Sequence, residues 1–134
     1  MQFEIEFQLT GSAADVEITL SGVATVQEFR QFVETLTSDP HFRAGLTMLV
    51  DVATLDTSTL SDDGLQLIAG PIVERDWYQP PAAVAIVAPG EQVGSHARAY
   101  RAHLGGTKSN RQIFTSRAEA IAWLEQQDRY TNPD

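Results

Sequence analysis

The chain has 134 residues, a length that suits one domain (1–134) with enough material for a core. Apolar residues make up 43% and charged residues 20%, the mix of a globular rather than a disordered chain. The absence of cysteine excludes disulfides, thiolate metal sites and a cysteine nucleophile, and a net charge of −9 argues against nucleic acid or anionic lipid as a nonspecific partner. No apolar run approaches the ~18 residues of a membrane span. Met1-Gln2-Phe3-Glu4 lacks the basic and apolar regions of a signal peptide, so a cytoplasmic location is expected.

Residues 2–9 alternate, with Phe3, Ile5, Phe7 and Leu9 on one side and Gln2, Glu4, Glu6 and Gln8 on the other. Val16, Ile18 and Leu20 repeat the pattern. Period two means a strand with one wet face, and Gly11–Asp15 is a loop of hairpin length. Thr25-Val26-Gln27-Glu28 then fits a capping box, and Val26, Phe29, Val33 and Leu36 recur at helical spacing until Asp39-Pro40. Leu46–Val50 and Ala82–Ala88 are nearly unbroken apolar runs, which suit strands covered on both faces. Between them residues 60–77 read as helix, with Leu65, Ile68 and Ile72 on one side. Gly70-Pro71 inside it predicts a kink or two shorter helices.

Residues 90–104 form a third helix with the stripe Val93, Ala97, Tyr100 and Leu104, and Gly105 suits its C′ position. Ile113-Phe114 belongs to a last strand. Ser116-Arg117-Ala118-Glu119 is a second capping box, opening a helix with Ile121, Trp123 and Leu124. The tail 128–134 reads as frayed. The order ββ-α-β-α-β-α-β-α describes an α/β fold of the α+β mixed-sheet kind. An antiparallel hairpin leads into βαβαβ units, with four helices on a sheet of about five strands.

Three stretches carry a family resemblance: Ser38–Leu46 leading into Leu49-Val50-Asp51; Val84–Pro89 with Ala97-Arg98-Ala99-Tyr100; and Ile113–Leu124. They resemble the STAS fold of bacterial anti-sigma-factor antagonists and sulfate-transporter cytosolic domains. More closely, they resemble small stand-alone STAS-like proteins, which are compared with CRAL-TRIO lipid carriers. The resemblance implies a regulatory module. In anti-sigma-factor antagonists a serine at the start of a sheet-covering helix is phosphorylated to release a partner. The similar segment here is Ser61-Asp62-Asp63-Gly64-Leu65, which places Asp62 where that serine would stand. A permanent negative charge would result, although an aspartate there also suits the helix dipole.

The loop Leu55–Asp63 follows a central strand and precedes a helix, the place where open α/β sheets gather ligands. Asp56, Thr57, Ser58, Ser61, Asp62 and Asp63 are candidates there for a polar ligand or a protein partner. The plainer account is a solvated loop with Ser61 as N-cap. Asp51, Asp56, Asp62 and Asp63 could be read as a magnesium or phosphoaspartate site, but the acidic pair and lysine of a receiver domain are misplaced. No cofactor is implied. From Gln92 to Ala118 there is no acidic residue, and the window carries +5, against −14 for the rest of the chain. Arg98 and Arg101, three apart, are its candidates for an anion or an acidic partner. His96 and His103 lie seven apart, about 10.5 Å by helical rise, too far to chelate one ion as a close pair. Gly105-Gly106-Thr107-Lys108-Ser109 lacks a Walker loop's glycine and setting.

Three functions are therefore expected, in descending order. The first is a non-enzymatic binding module acting through loop 55–63 and the following helix start. The second is a carrier of a small apolar ligand, with a cavity around Ile72, Trp77, Tyr100 and Trp123. The third is a metal-assisted enzyme using Asp56, Asp62 and Asp63. A homodimer through an edge strand of the opening hairpin is also conceivable.

Overall fold

In the computed structural model the described residues are 1–7, 13–76, 78–105 and 110–127. The elements run β1 (Gln2–Phe7), β2 (Val16–Val23), α1 (Val26–Ser38), β3 (Thr47–Asp56), α2 (Asp62–Asp76), β4 (Ala83–Val87), α3 (Glu91–His103), β5 (Asn110–Phe114) and α4 (Arg117–Glu125). The expected mixed sheet is present. Its five strands lie in the order β1-β2-β3-β4-β5. The β1–β2 pair is antiparallel and every later pair is parallel.

That order decides where the helices go. Each parallel crossover steps to the next strand in the same direction. Crossovers share one hand, so their three helices must lie on one face. Val16, Ile18, Leu20, Met48, Val84 and Ile86 point to that face and meet Phe32, Leu36 and Val93 from α1 and α3. Only α4, which follows the last strand, covers the other face. There Leu49, Ala83, Ala85 and Val87 pack on Ala120 and Leu124. On the β1–β2 half that second face stays open, with Glu4, Glu6 and Thr19 exposed.

The caps follow the sequence with one difference. Ser116 Oγ accepts from the Glu119 amide at 3.3 Å, and Thr25 Oγ1 accepts from the Glu28 amide at 3.2 Å. The Glu28 carboxylate does not return to the Thr25 amide. It accepts from the Thr25 hydroxyl and from the Met1 ammonium, and the ammonium and then the hydroxyl hold it below the usual glutamate range.

Several boundaries differ from expectation. α2 is a single helix, not two, despite Pro71. The carbonyl that proline leaves without an intrahelical donor belongs to Leu67, whose side chain is 52% exposed, so water can satisfy it there. β3 runs on to Asp56 because of a bulge. Thr19 pairs with Asp51, but Ser21 pairs with Thr54, so β3 carries one extra residue. The Asp51 carboxylate accepts the Ala53 amide at 2.9 Å within this bulge. Gly45, just before β3, has φ +86°, a backbone only glycine adopts readily. The last strand holds Ile113 and Phe114 as expected and begins at Asn110. Residues 8–12, Trp77, the Gly106–Ser109 part of the glycine segment and the tail 128–134 lie outside the described residues. Among the described residues, no helix is long and apolar enough to cross a membrane.

Candidate functional site

The bulge in β3 has a consequence for the loop after it. Met48, Val50 and Val52 face the three-helix side; the extra residue shifts the alternation, so Leu55 and Thr57 face that side too. Loop 55–63 is therefore two-sided. Leu55, Thr57 and Leu60 turn inward, whereas Asp56, Ser58, Ser61, Asp62 and Asp63 are exposed.

Of the expected loop residues, Asp56, Thr57, Ser58, Ser61 and Asp62 have hydrogen-bond partners. Ser58 donates to Asp56, through its hydroxyl and then its amide, the latter at 2.9 Å, and holds that carboxyl below the usual aspartate range. Ser61 caps α2, its Oγ accepting the Gly64 amide at 3.1 Å. The Asp62 carboxylate meets His103 Nε2 at 3.1 Å. Thr57, only 5% exposed, is hydrogen-bonded through Oγ1 to His96 Nδ1. The structure thus joins the loop to α3 through the two histidines. Arg98 and Arg101 stay exposed on α3 and are not brought to the loop by any hydrogen bond among the described residues. Nor do the aspartates converge: among the described residues no three His, Asp or Glu side chains are grouped to hold a metal ion.

Inside the three-helix layer lies a cavity of about 130 Å³. Its walls are strands β2 to β5 and helices α1, α2 and α3. Ile18, Phe29, Met48, Ile68, Ile86 and Ala97 exemplify its lining, which is apolar along nearly all its length. Of the four residues expected around such a cavity, Ile72 and Tyr100 line it and Trp77 lies outside the described residues. Trp123 does not line it. It sits on the opposite face of the sheet against Phe114, with ring centroids 5.5 Å apart, because α4 covers that face.

Polar groups meet the cavity in two places. At the carboxyl end of the parallel strands are Thr57 and His96. At the amino end are Arg75, Asp76, Tyr100 and Arg111. The separation follows from register: Arg111 pairs with Val84, and Val84 with Met48, which precedes Thr57 by most of β3. Arg111 donates to Asp76 Oδ2 at 2.7 Å, with 9% and 4% of these side chains exposed, so the ion pair is buried and ties β5 to the end of α2. Burial pushes the Tyr100 phenol up to about 12; Arg111 lowers it and Asp76 raises it by smaller amounts. Arg75 is exposed. It donates to Gln79 Oε1 at 3.2 Å and to Thr37 Oγ1 at 3.3 Å, linking the end of α2 to α1.

Of this amino-end group the sequence points to Tyr100 alone as a cavity residue. Arg111 has one faint signal: it alternates with Ile113, so it had to share the core-facing side of a strand. Arg75 and Asp76 lie within residues 60–77, which read as helix, and no spacing there sets them apart.

No protein-family model and no curated protein matches the chain. Among solved structures, the chain is similar to an uncharacterised protein of the DUF3478 family from Shewanella loihica, described as having a SpoIIAA-like fold. Identity is 19%, the match covers 92% of each chain, and the TM-score is 0.60. The likeness extends to the fold, which is of the STAS-like kind that the sequence resemblance implied.

Proposed function

We propose that the protein is a non-catalytic binding module that holds a small apolar molecule in the cavity between its sheet and its three crossover helices. The cavity itself carries this reading. Packed interiors leave few voids larger than a water molecule, whereas this one measures about 130 Å³ and is lined mainly by apolar side chains. An apolar cavity of about 150 Å³ stays dry and admits benzene. Asp56 accepts from Ser58, Asp62 meets His103, and among the described residues no three His, Asp or Glu side chains are grouped for a metal ion, which disfavours the metal-assisted alternative.

Toluene is the first probe. Its addition is expected to shift amide resonances of Ile68, Ile86 and Ala97 and leave those of α4 unchanged. Ala97→Leu, which fills the space, is expected to remove the shifts. Toluene producing no shift in the unaltered chain would sink the reading.

A second reading concerns the outside of the same loop. Asp56, Ser58, Asp62 and Asp63 are exposed while Leu55, Thr57 and Leu60 form cavity wall, so one segment touches both the interior and solvent. On this reading the outer side contacts a protein partner, with Asp62 as a fixed negative charge. Ligand-induced amide shifts at Ser58 and Asp63 are expected; a loop unresponsive to toluene would count against it.

A further inference from the structure

The cavity is apolar, yet its described charged lining is not balanced. Two guanidinium groups, Arg75 and Arg111, stand against one carboxylate, Asp76. Arg111 and Asp76 answer each other at 2.7 Å. Among the described residues, Arg75 is bonded only to the uncharged oxygens of Gln79 and Thr37, at 3.2 and 3.3 Å. A positive charge thus remains at one end of an apolar cavity, in a chain whose net charge is −9. Arg75 is exposed as well as cavity-lining, which puts it where the cavity opens to solvent. Tyr100 lines the same end, close enough to Arg111 and Asp76 to feel both charges. Its hydroxyl donates to no described residue.

We propose that the cavity takes a small monocarboxylic acid in its anionic form, with the apolar body inside and the carboxylate at the rim beside Arg75 and the Tyr100 hydroxyl. This rests on the cavity being a ligand site. The guanidinium fork matches a carboxylate in geometry as well as charge. Arg75, which meets no carboxylate among the described residues, can pair with one negative charge, whereas a dianion would cost more to desolvate. The cavity, at about 130 Å³, holds a body near the size of one benzene ring, not a long acyl chain. At the rim the carboxylate keeps part of its hydration, which spares it most of the cost of full burial.

Calorimetric titration of the full chain with phenylacetate and with 2-phenylethanol tests the proposal, because the two differ only at the head. Phenylacetate is expected to bind about tenfold tighter or better, the usual gain of a hydrogen bond to a charged group. Arg75→Gln changes an exposed side chain and is expected to erase that preference by weakening phenylacetate binding more than 2-phenylethanol binding. Tyr100→Phe is expected to reduce it by a smaller factor. Arg30→Gln, an exposed arginine on α1 away from the cavity lining, is expected to preserve it. Equal binding of acid and alcohol would overturn the carboxylate assignment and leave the cavity reading standing. So would a preference that survives Arg75→Gln or vanishes in Arg30→Gln. If neither compound binds while toluene does, the carboxylate assignment alone falls; if toluene also fails, both fall.

Discussion

The two faces of the sheet solve packing differently. On the α4 face alanines sit among the larger residues of the contact. Ala83 and Ala85 are 0% exposed against Ala120, also 0%, and α4 lies close on β3, β4 and β5. On the other face the side chains are large and branched or aromatic, and three helices share five strands. A helix with its side chains is about 10 Å wide and strands are about 4.8 Å apart, so one helix covers roughly two strands. Three helices therefore crowd this face. α3 approaches β3 and β5, whereas the close neighbours of α2 are α1 and α3. α2 becomes a roof, and the space beneath it is the cavity. The lesson is that strand order alone set up the hollow, by sending every crossover to one side.

The largest expected effect comes from a charged contact buried on the hollow side. Arg111→Met removes the guanidinium from the buried Asp76 carboxylate, and urea unfolding is expected to register a loss of about 3–5 kcal/mol. Adding Asp76→Leu is expected to restore part of it, because the buried carboxylate that lost the guanidinium is then replaced by an apolar group. A loss under about 1 kcal/mol would mean the pair behaves like an exposed one.

The contrast between the faces sharpens with one change made twice. Ala85→Leu, against α4, forces extra volume into a filled layer and is expected to cost about 1–3 kcal/mol. Ala97→Leu points the same added volume into the cavity and is expected to be neutral or to stabilise by about 0.5–2 kcal/mol. Equal costs at both sites would show that the hollow face is as tightly filled as the other.

The smallest effect is a pH dependence. Tyr100 is held protonated up to about 12 in the folded chain, against an ordinary value of 10.0. Above pH 10 the unfolded chain releases that proton first, so stability present below pH 10 declines as pH rises toward 12. The loss is on the order of 1 kcal/mol by pH 11. Tyr100→Phe is expected to flatten that part of the profile.

Much of this fold was legible in the sequence, for reasons that particular residues make plain. Phe3, Ile5 and Phe7 alternate because a strand with one wet face must. Thr25 and Ser116 announce helix starts because their oxygens satisfy amides that the helix cannot. The all-buried run Ala83–Val87 implied cover on both sides. The length of β3 was hidden, because a bulge shifts the alternation between Val52 and Leu55 and a periodic reading stops there. Loop 55–63 was found as a surface feature; that Leu55, Thr57 and Leu60 form cavity wall depends on the same shift. Trp123 was placed on the wrong side because its helix could pack on either face until strand order was known.

By itself, then, the sequence determined the elements and their wet and dry faces, since periodicity and capping are local properties of neighbouring residues. The tertiary structure decided what the faces enclose. Arg75, Asp76, Tyr100 and Arg111 are 36 positions apart at the extremes and come from α2, α3 and β5. Only register and helix placement bring them to one end of one cavity, and no local pattern encodes a meeting of that kind.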